Sequence, residues 1–386
     1  MQANYNFASY KKIMTSEELF KKLNLQLNQS LPFVVYRKPN TEEVIAIFQS
    51  TAELYTTKHF NETGFVFAPF DSNESVILIP LEHSEMVSTI ADKDKVSSNE
   101  AVSLASETDT AKAFHIKLVQ EGIKTIKNGD LRKVVLSRTE TVKLSEVNPI
   151  QIFKGLSSNY PAAFVYCFYH PKVGLWLGAT PETLLKIEGH QFFTTALAGT
   201  QKYKGKIDVV WNQKEKDEQN IVTNYIVDNL KPIVQSIKVE TVKTVKAGSL
   251  LHLKSNISGT MDFRNLDMKQ MLNTLHPTPA VCGFPKEKAK QFILKHENYH
   301  REFYTGFLGE LNFKIRKNRN SNRRNVENNA YTAITNCSNL FVNLRCMQLN
   351  SNEAKIYVGG GVTLDSNPEA EWEETVNKTQ TIKSVL

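Results

Sequence analysis

Apolar positions in the first hundred residues come in short runs, 32–36, 44–48, 64–69 and 76–80, separated by turn-rich stretches such as 71–74. Runs of this length, rich in β-branched and aromatic side chains, predict strands. Residues 91–110 are polar and weakly patterned and predict a flexible joint. Beyond them the period lengthens. Phe114, Leu118, Val119, Ile123 and Ile126 recur at helix-face spacing, and Gly129-Asp130 ends the run. Further strands are expected at 133–138, 163–169, 175–177, 191–195, 340–347 and 355–358, and helices at 214–230, 286–296 and 369–386. Strands fall in neighbouring runs with helices between the blocks. That order argues for an α+β layered fold of antiparallel sheets covered by helices.

Composition narrows the class. Of 386 residues, 41% are hydrophobic and 23% charged, ordinary for a globular chain able to bury a sizeable core. No apolar run approaches the ~20 residues of a membrane span, and the N-terminus lacks the basic-then-apolar order of a signal peptide. Cys167, Cys282, Cys337 and Cys346 show no CxxC spacing, so reduced, buried thiols in a cytoplasmic protein are expected. The net charge of +7 is concentrated: residues 314–325 carry six basic side chains and no acidic one. Rich in Asn and lacking an aromatic to stack on a base, the segment reads as a solvated excursion between two strands. No nucleic-acid partner is expected; a nucleic-acid-binding protein using this loop is the non-enzyme alternative.

Four features carry candidate chemistry. In the 214–230 helix Ile221, Val222, Tyr225 and Ile226 share a face, and Glu218 points to it. A carboxylate on a buried face needs a partner, in a structural salt bridge or in a site. In the C-terminal helix, capped by Ser366 or Asn367 with Pro368 in its first turn, Glu371, Glu374 and Lys378 follow at spacings of three and four. Two close carboxylates suit Mg²⁺, whose remaining ligands are water and substrate; an exposed Glu–Lys pair is the alternative. Gly359-Gly-Gly361 and the small residues of 177–182 and 196–200 end strands, where a backbone forms a turn or approaches a ligand closely. Residues 275–286, with three prolines and a glycine, predict a rigid loop of the kind that holds binding residues.

Together these segments resemble the chorismate-utilising enzymes, which include isochorismate synthases, salicylate synthases, anthranilate synthase large chains and aminodeoxychorismate synthase. The matching stretches, in the family's order, are KVVLSR (133–138), GATPETLL (178–185), ALAGT (196–200), KEKDEQNIV (214–222), LHPTPAVCGFPK (275–286), FYTGFLG (303–309), NLRCMQL (343–349) and GGGVTLDSNPEAEWEET (359–375). The resemblance implies two stacked antiparallel β-sheets flanked by helices, with the active site between them. It implies a single chorismate-binding domain over 1–386, comprising a variable N-terminal part, 1–105, and a motif-bearing catalytic part, 106–386. Glu218 and Glu374 match the carboxylates that hold Mg²⁺, and Glu371 a nearby acidic residue. Arg345 and Lys378 match positions that bind substrate carboxylates. Gly199, Thr200, Ala280, Val281 and Gly359 match pocket-lining positions, and His252 a pocket histidine. Lys133 and Glu182 match the general base and the general acid. Forming isochorismate adds water at C2 of chorismate and expels the C4 hydroxyl. A lysine can deprotonate water only if its pKa is lowered, and an acid that protonates the leaving hydroxyl needs a raised one.

Two positions choose a branch. Ammonia-using members commonly carry glutamine where this chain has Lys133, and aminodeoxychorismate synthases carry a nucleophilic lysine where it has Ala198. Both point to the water-using branch. Ala280 and the 281–286 continuation look more like isochorismate synthases, which feed menaquinone or siderophore formation; salicylate synthase is the alternative, with anthranilate and aminodeoxychorismate synthase components further off. The partner implied is chorismate alone, with no glutamine amidotransferase subunit, no nucleic acid and no membrane, and the protein is expected to be a monomer. Two departures stand out: the 182–218 segment is shorter than in many relatives, and Gln219 stands where some members have histidine.

Overall fold

Two large sheets face each other across an aromatic core. The computed structural model describes residues 6–7, 11–90, 109–247, 250–262, 267–317 and 333–386. Within these, a ten-stranded sheet runs in the order Gly283–Phe284, Lys133–Lys143, Glu353–Val362, Cys346–Leu349, Gly174–Thr180, Phe164–His170, Phe33–Arg37, Glu43–Gln49, Ser84–Ile90 and Lys11–Ile13. An eleven-stranded sheet runs Ser236–Val239, Leu250–Thr260, Gln191–Lys202, Thr183–Glu188, Ala333–Val342, Phe307–Lys317, Gly64–Ala68, Val76–Pro80 and Tyr55–Thr57. Lys243–Ala247 joins it beside Leu250–Thr260, and Asn6–Phe7 beside Phe307–Lys317. The described pairings are antiparallel except at one edge, where Lys11–Ile13 lies parallel to Ser84–Ile90. The expected α+β fold of two antiparallel sheets with flanking helices is what the chain adopts.

Period-two alternation gives each sheet an inner face. Tyr36, Phe164, Tyr166, Phe168 and Trp176 from one sheet meet Phe65, Phe67 and Phe341 from the other. Their rings pack closely, with Phe164 stacked on Phe341 at 4.3 Å and Phe67 on Phe303 at 4.2 Å between centroids. The outer faces are covered by helices: α1 (Ser16–Asn28) and α3 (Pro149–Asn159) on the ten-stranded sheet, α4 (Gln213–Leu230) and α5 (Met268–Leu275) on the other. In chain order α2 is Asp109–Lys127, α6 is Lys286–His296 and α7 is Pro368–Lys383. No helix is long and apolar enough to cross a membrane among the described residues. All four cysteines are buried and unpaired.

Several expectations need correction. Residues 340–347 are not one strand. Ala333–Val342 belongs to the eleven-stranded sheet and Cys346–Leu349 to the other, so the chain crosses between sheets at 343–345, where Arg345 takes a φ of 48°. A continuous apolar run cannot reveal such a switch, because both halves are strand-like. The basic segment 314–325 is not wholly loop: Lys314 to Lys317 pair with Asn336 to Ala333, and 318–325 lie outside the described residues. Most of the expected joint, 91–108, also lies outside them, and Asp109 already opens α2. The C-terminal helix ends at Lys383, short of 386.

Candidate active site

Two sheet crossings and two helices converge at one end of the sandwich. Gly174–Thr180 lies in one sheet and Thr183–Glu188 in the other, so Pro181 and Glu182 make the second crossing. That crossing is pinned beside the first: Val342 N donates to the Glu182 carbonyl at 3.0 Å, and Thr180 Oγ1 to the Val342 carbonyl at 2.6 Å. Between them opens a cleft of about 690 Å³, open solvent at its mouth included. Of the residues expected at the site, Glu182, Gly199, Thr200, Glu218, His252, Ala280, Val281, Arg345, Gly359, Glu374 and Lys378 line it. Lys133 and Glu371 do not; both are buried directly behind its wall.

The glycine run at the end of Glu353–Val362 lets these groups meet. A Cβ on Gly361 would collide with Glu218 Oε1 and come within 3.1 Å of Lys133 Cε. One on Gly360 would sit 3.3 Å from Glu371 Oε2 and 3.5 Å from Glu374 Oε1. Across this strip α4 presents Glu218, and α7 presents Glu371, Glu374 and Lys378. Asn367 caps α7 by accepting from Ala370 N, while Ser366, the other cap candidate, donates to Glu371 Oε1 at 2.7 Å.

Each carboxylate closes on a lysine. Lys133 Nζ, fully buried, lies 2.8 Å from Glu218 Oε1, although outside hydrogen-bonding alignment. Lys378 Nζ lies 2.5 Å from Glu374 Oε1 and donates to the Gly359 carbonyl at 2.9 Å. Lys214 Nζ lies 2.5 Å from Glu371 Oε1. So the Glu374–Lys378 pair at i,i+4 exists, but in the wall of a cleft rather than on an open surface. Burial opposes the charge on Glu374, yet Lys378, Lys214 and Arg345 outweigh it and hold its carboxyl below the usual range. Glu371 goes the other way: burial and the charge of Glu374 outweigh Lys214 and Ser366.

Glu182 and His252 are tuned oppositely by the same cause. Burial pushes the Glu182 carboxyl up to about 8 against the pull of Lys133, so it carries its proton at neutral pH. Burial, aided by Arg345 and Lys378, pushes His252 down to about 3. Its Nδ1 lies 3.0 Å from the Gly199 carbonyl, which can only accept. The proton therefore sits on Nδ1, and Nε2 is a buried acceptor without a partner. Arg345 donates one long bond, 3.5 Å, to the Lys378 carbonyl, which leaves its guanidinium open to a ligand.

No group of three or more His, Cys, Asp or Glu side chains is preassembled around a metal among the described residues. The donor set still suits a hard cation. Glu218 and Glu374 reach the cleft, and Glu371 Oε2 is buried without a hydrogen-bond partner. One or two carboxylates, with water and substrate completing the shell, are what Mg²⁺ takes, and Glu218 and Glu374 fill that number.

A sequence profile of the chorismate binding enzymes matches residues 53–317, and a second profile of the same description matches 330–384. The chain belongs to the chorismate-binding enzyme family. Among curated members, isochorismate synthase MenF of Pasteurella multocida is 28% identical over 281 residues, 69% of this chain and 60% of that protein. Isochorismate synthase DhbC of Bacillus subtilis is 26% identical over 283 residues, 68% of this chain and 65% of that protein. The alignments thus span less than two thirds of these relatives. The solved structure of the menaquinone-specific isochorismate synthase MenF from Escherichia coli shares the fold, with a TM-score of 0.72, 21% identity, and coverage of 92% of this chain and 88% of that one.

The cleft also contains Tyr304, Thr305, Leu344 and Tyr357, to which the sequence assigned no role, and Gly360 and Gly361 of the glycine run. Tyr304, Thr305, Leu344 and the two glycines lie inside the matching stretches. Lys214 had a signal too, since it precedes Glu218 by one helical turn and so faces the same way.

Proposed function

We propose that this member of the chorismate-binding family is an isochorismate synthase. The observation that carries the reading is Glu182, a carboxyl kept protonated at neutral pH in the wall of the cleft and close enough to Lys133 to feel its charge. Exchange of a hydroxyl on chorismate needs such a pair, a base for the incoming water and an acid for the leaving hydroxide.

In this reading Lys133, which must leave Glu218 and enter the cleft beside Gly361, takes the proton from water at C2, and Glu182 gives its proton to the C4 oxygen. Each transfer contributes ~10²–10⁴ in rate. Arg345 and Lys378 grip the substrate carboxylates. His252 Nε2 accepts a hydrogen bond from a substrate hydroxyl, and the backbone at Gly199, Thr200, Ala280, Val281 and Gly359 shapes the walls. Glu218 and Glu374, with Glu371 behind, would hold Mg²⁺, which would supply positive charge for the ring carboxylate. To do so both must turn from the lysines that hold them now. Strands from residues 33–90 enter both sheets, which supports one chorismate-binding domain over the whole chain. The enzyme is read as cytoplasmic and monomeric, acting on chorismate without an amidotransferase subunit, a membrane or nucleic acid.

Incubation with chorismate and Mg²⁺ at neutral pH, followed by chromatographic separation, tests the proposal. Isochorismate as the main product supports it. Salicylate with pyruvate would move the chain to the lyase branch, and anthranilate formed with ammonium would sink the water-using argument.

A further inference from the structure

Arg301 lies just beyond α6, is 3% exposed, and has no place in the chemistry described so far. Its five N–H groups are all committed. Nε donates to Glu297 Oε2 at 2.8 Å, Nη1 to the Val281 carbonyl at 3.0 Å and Thr305 Oγ1 at 3.2 Å, and Nη2 to the Val135 carbonyl at 2.7 Å and Glu297 Oε1 at 2.5 Å. Glu297 in turn accepts from Ser137 N at 2.8 Å and Ser137 Oγ at 2.7 Å.

These bonds complete an interrupted ladder. The strand that carries Lys133 runs beside the 275–286 loop: Arg132 N donates to the Phe284 carbonyl and Val135 N to the Cys282 carbonyl, each at 2.8 Å. The return bond of that last pair is missing: Cys282 N and Val281 N both donate to the Thr278 carbonyl, at 3.0 and 3.1 Å, and so turn away from the Val135 carbonyl. The guanidinium supplies the donor there, and another to the Val281 carbonyl. It also holds Thr305, a β-branched residue at a φ of 62°, a conformation that persists only when its surroundings enforce it. Thr305 N donates to the Asn343 carbonyl at 2.9 Å, and its own carbonyl lies 3.0 Å from His276 Nε2. Val135, Val281 and Thr305 all line the cleft, and Val135 shares a strand face with Lys133 two residues earlier.

We propose that Arg301, with Glu297 as its anionic partner, is a positioning residue that fixes the reach of Lys133 by clamping its strand to the 275–286 loop and the turn at Thr305. The inference rests on the reading of Lys133 as the base. Of the proposed substrate walls the clamp holds Val281, but Arg345 and Lys378, which grip the carboxylates in this reading, receive no bond from Arg301, so the clamp should weigh on kcat more than on KM. A lysine at 301 keeps the charge for Glu297, but its compact ammonium cannot span two carbonyls and a hydroxyl.

The test compares wild type and Arg301→Lys, as full chains, for chorismate turnover and for hydrogen exchange at the Val135 amide. The clamp predicts a folded variant whose kcat falls about a hundredfold, as misplacement of a reacting group does, with KM within about threefold. Val135 exchange should speed up relative to the remote rung between Tyr166 and Gly178. A folded variant with wild-type kcat, or equal losses in kcat and substrate binding, would overturn the proposal. Should Arg301→Lys not fold, the double variant Arg301→Gln/Glu297→Gln buries no unpaired charge, and the same split between kcat and KM decides. If the wild type consumed no chorismate, the reading of the site would fail on its own, and unchanged Val135 exchange in Arg301→Lys would refute the clamp separately.

Discussion

Replacing Glu182 by glutamine should slow turnover and make the protein more stable at high pH. The carboxyl sits at the sheet crossing, 3% exposed, pushed by burial from its usual 4.5 up to about 8. Between those values the native chain holds a proton that the unfolded chain has lost. The stabilising contribution is therefore fully present below about pH 4.5, falls by about 1.4 kcal/mol for each unit of rising pH, and is gone above about pH 8. The loss is about 3 kcal/mol at pH 7 and roughly 5 kcal/mol once the group is ionised in both states. Glutamine resembles the protonated form and does not titrate. Glu182→Gln should thus match wild type at about pH 4.5 and exceed it by about 3 kcal/mol at pH 7, and by roughly 5 kcal/mol at about pH 9. Urea unfolding of both proteins across this range gives the difference directly, because every other group cancels. The substitution also deletes the proposed acid, so kcat should fall by ~10²–10⁴, and wild-type kcat should decline above about pH 8 as Glu182 loses its proton. A stability gap that does not change with pH, or a wild type more stable than the variant at about pH 9, would refute the reasoning.

Three further predictions concern the walls around Glu182. Lys133→Met should lower turnover by ~10²–10⁴ while chorismate still binds, measured by kinetics and calorimetry; near-normal turnover would remove the base assignment. Gly361→Ala places a methyl against Glu218 Oε1 and Lys133 Cε, so turnover should drop in a protein whose far-ultraviolet dichroism is unchanged; full activity would mean that the glycine strip does not set their spacing. Glu374→Gln should raise the Mg²⁺ concentration for half-maximal activity by more than about tenfold, and an unaltered metal requirement would take Glu374 out of the metal's reach.

Much of this arrangement is written in local pattern. Glu218 falls on the apolar face of a helix, and α4 carries it to the cleft. Glu371, Glu374 and Lys378 share the face that α7 turns toward the glycine strip. The fold class follows from blocks of short strands separated by helices. What pattern could not supply is where the chain changes sheets. Residues 340–347 read as one strand because both halves are apolar, and the switch at 343–345 is fixed by a distant segment: Val342 N donates to the Glu182 carbonyl, Thr180 Oγ1 to the Val342 carbonyl and Ala179 N to the Arg345 carbonyl. Arg301 was silent for the same reason: its acceptors at 135, 281 and 305 come from three separate stretches. Glu218 pairs with Lys133 and also lines the cleft, so the ion-pair and site readings of it do not exclude each other.

Hydroxyl exchange on chorismate is the reaction proposed for the cleft. The most direct measurement is the product formed from chorismate and Mg²⁺ at neutral pH in ¹⁸O-labelled water. Isochorismate carrying the label at C2 is expected, with Glu182→Gln forming it ~10²–10⁴ times more slowly. Unlabelled product, or a product aminated at C2 when ammonium is present, would contradict the proposal.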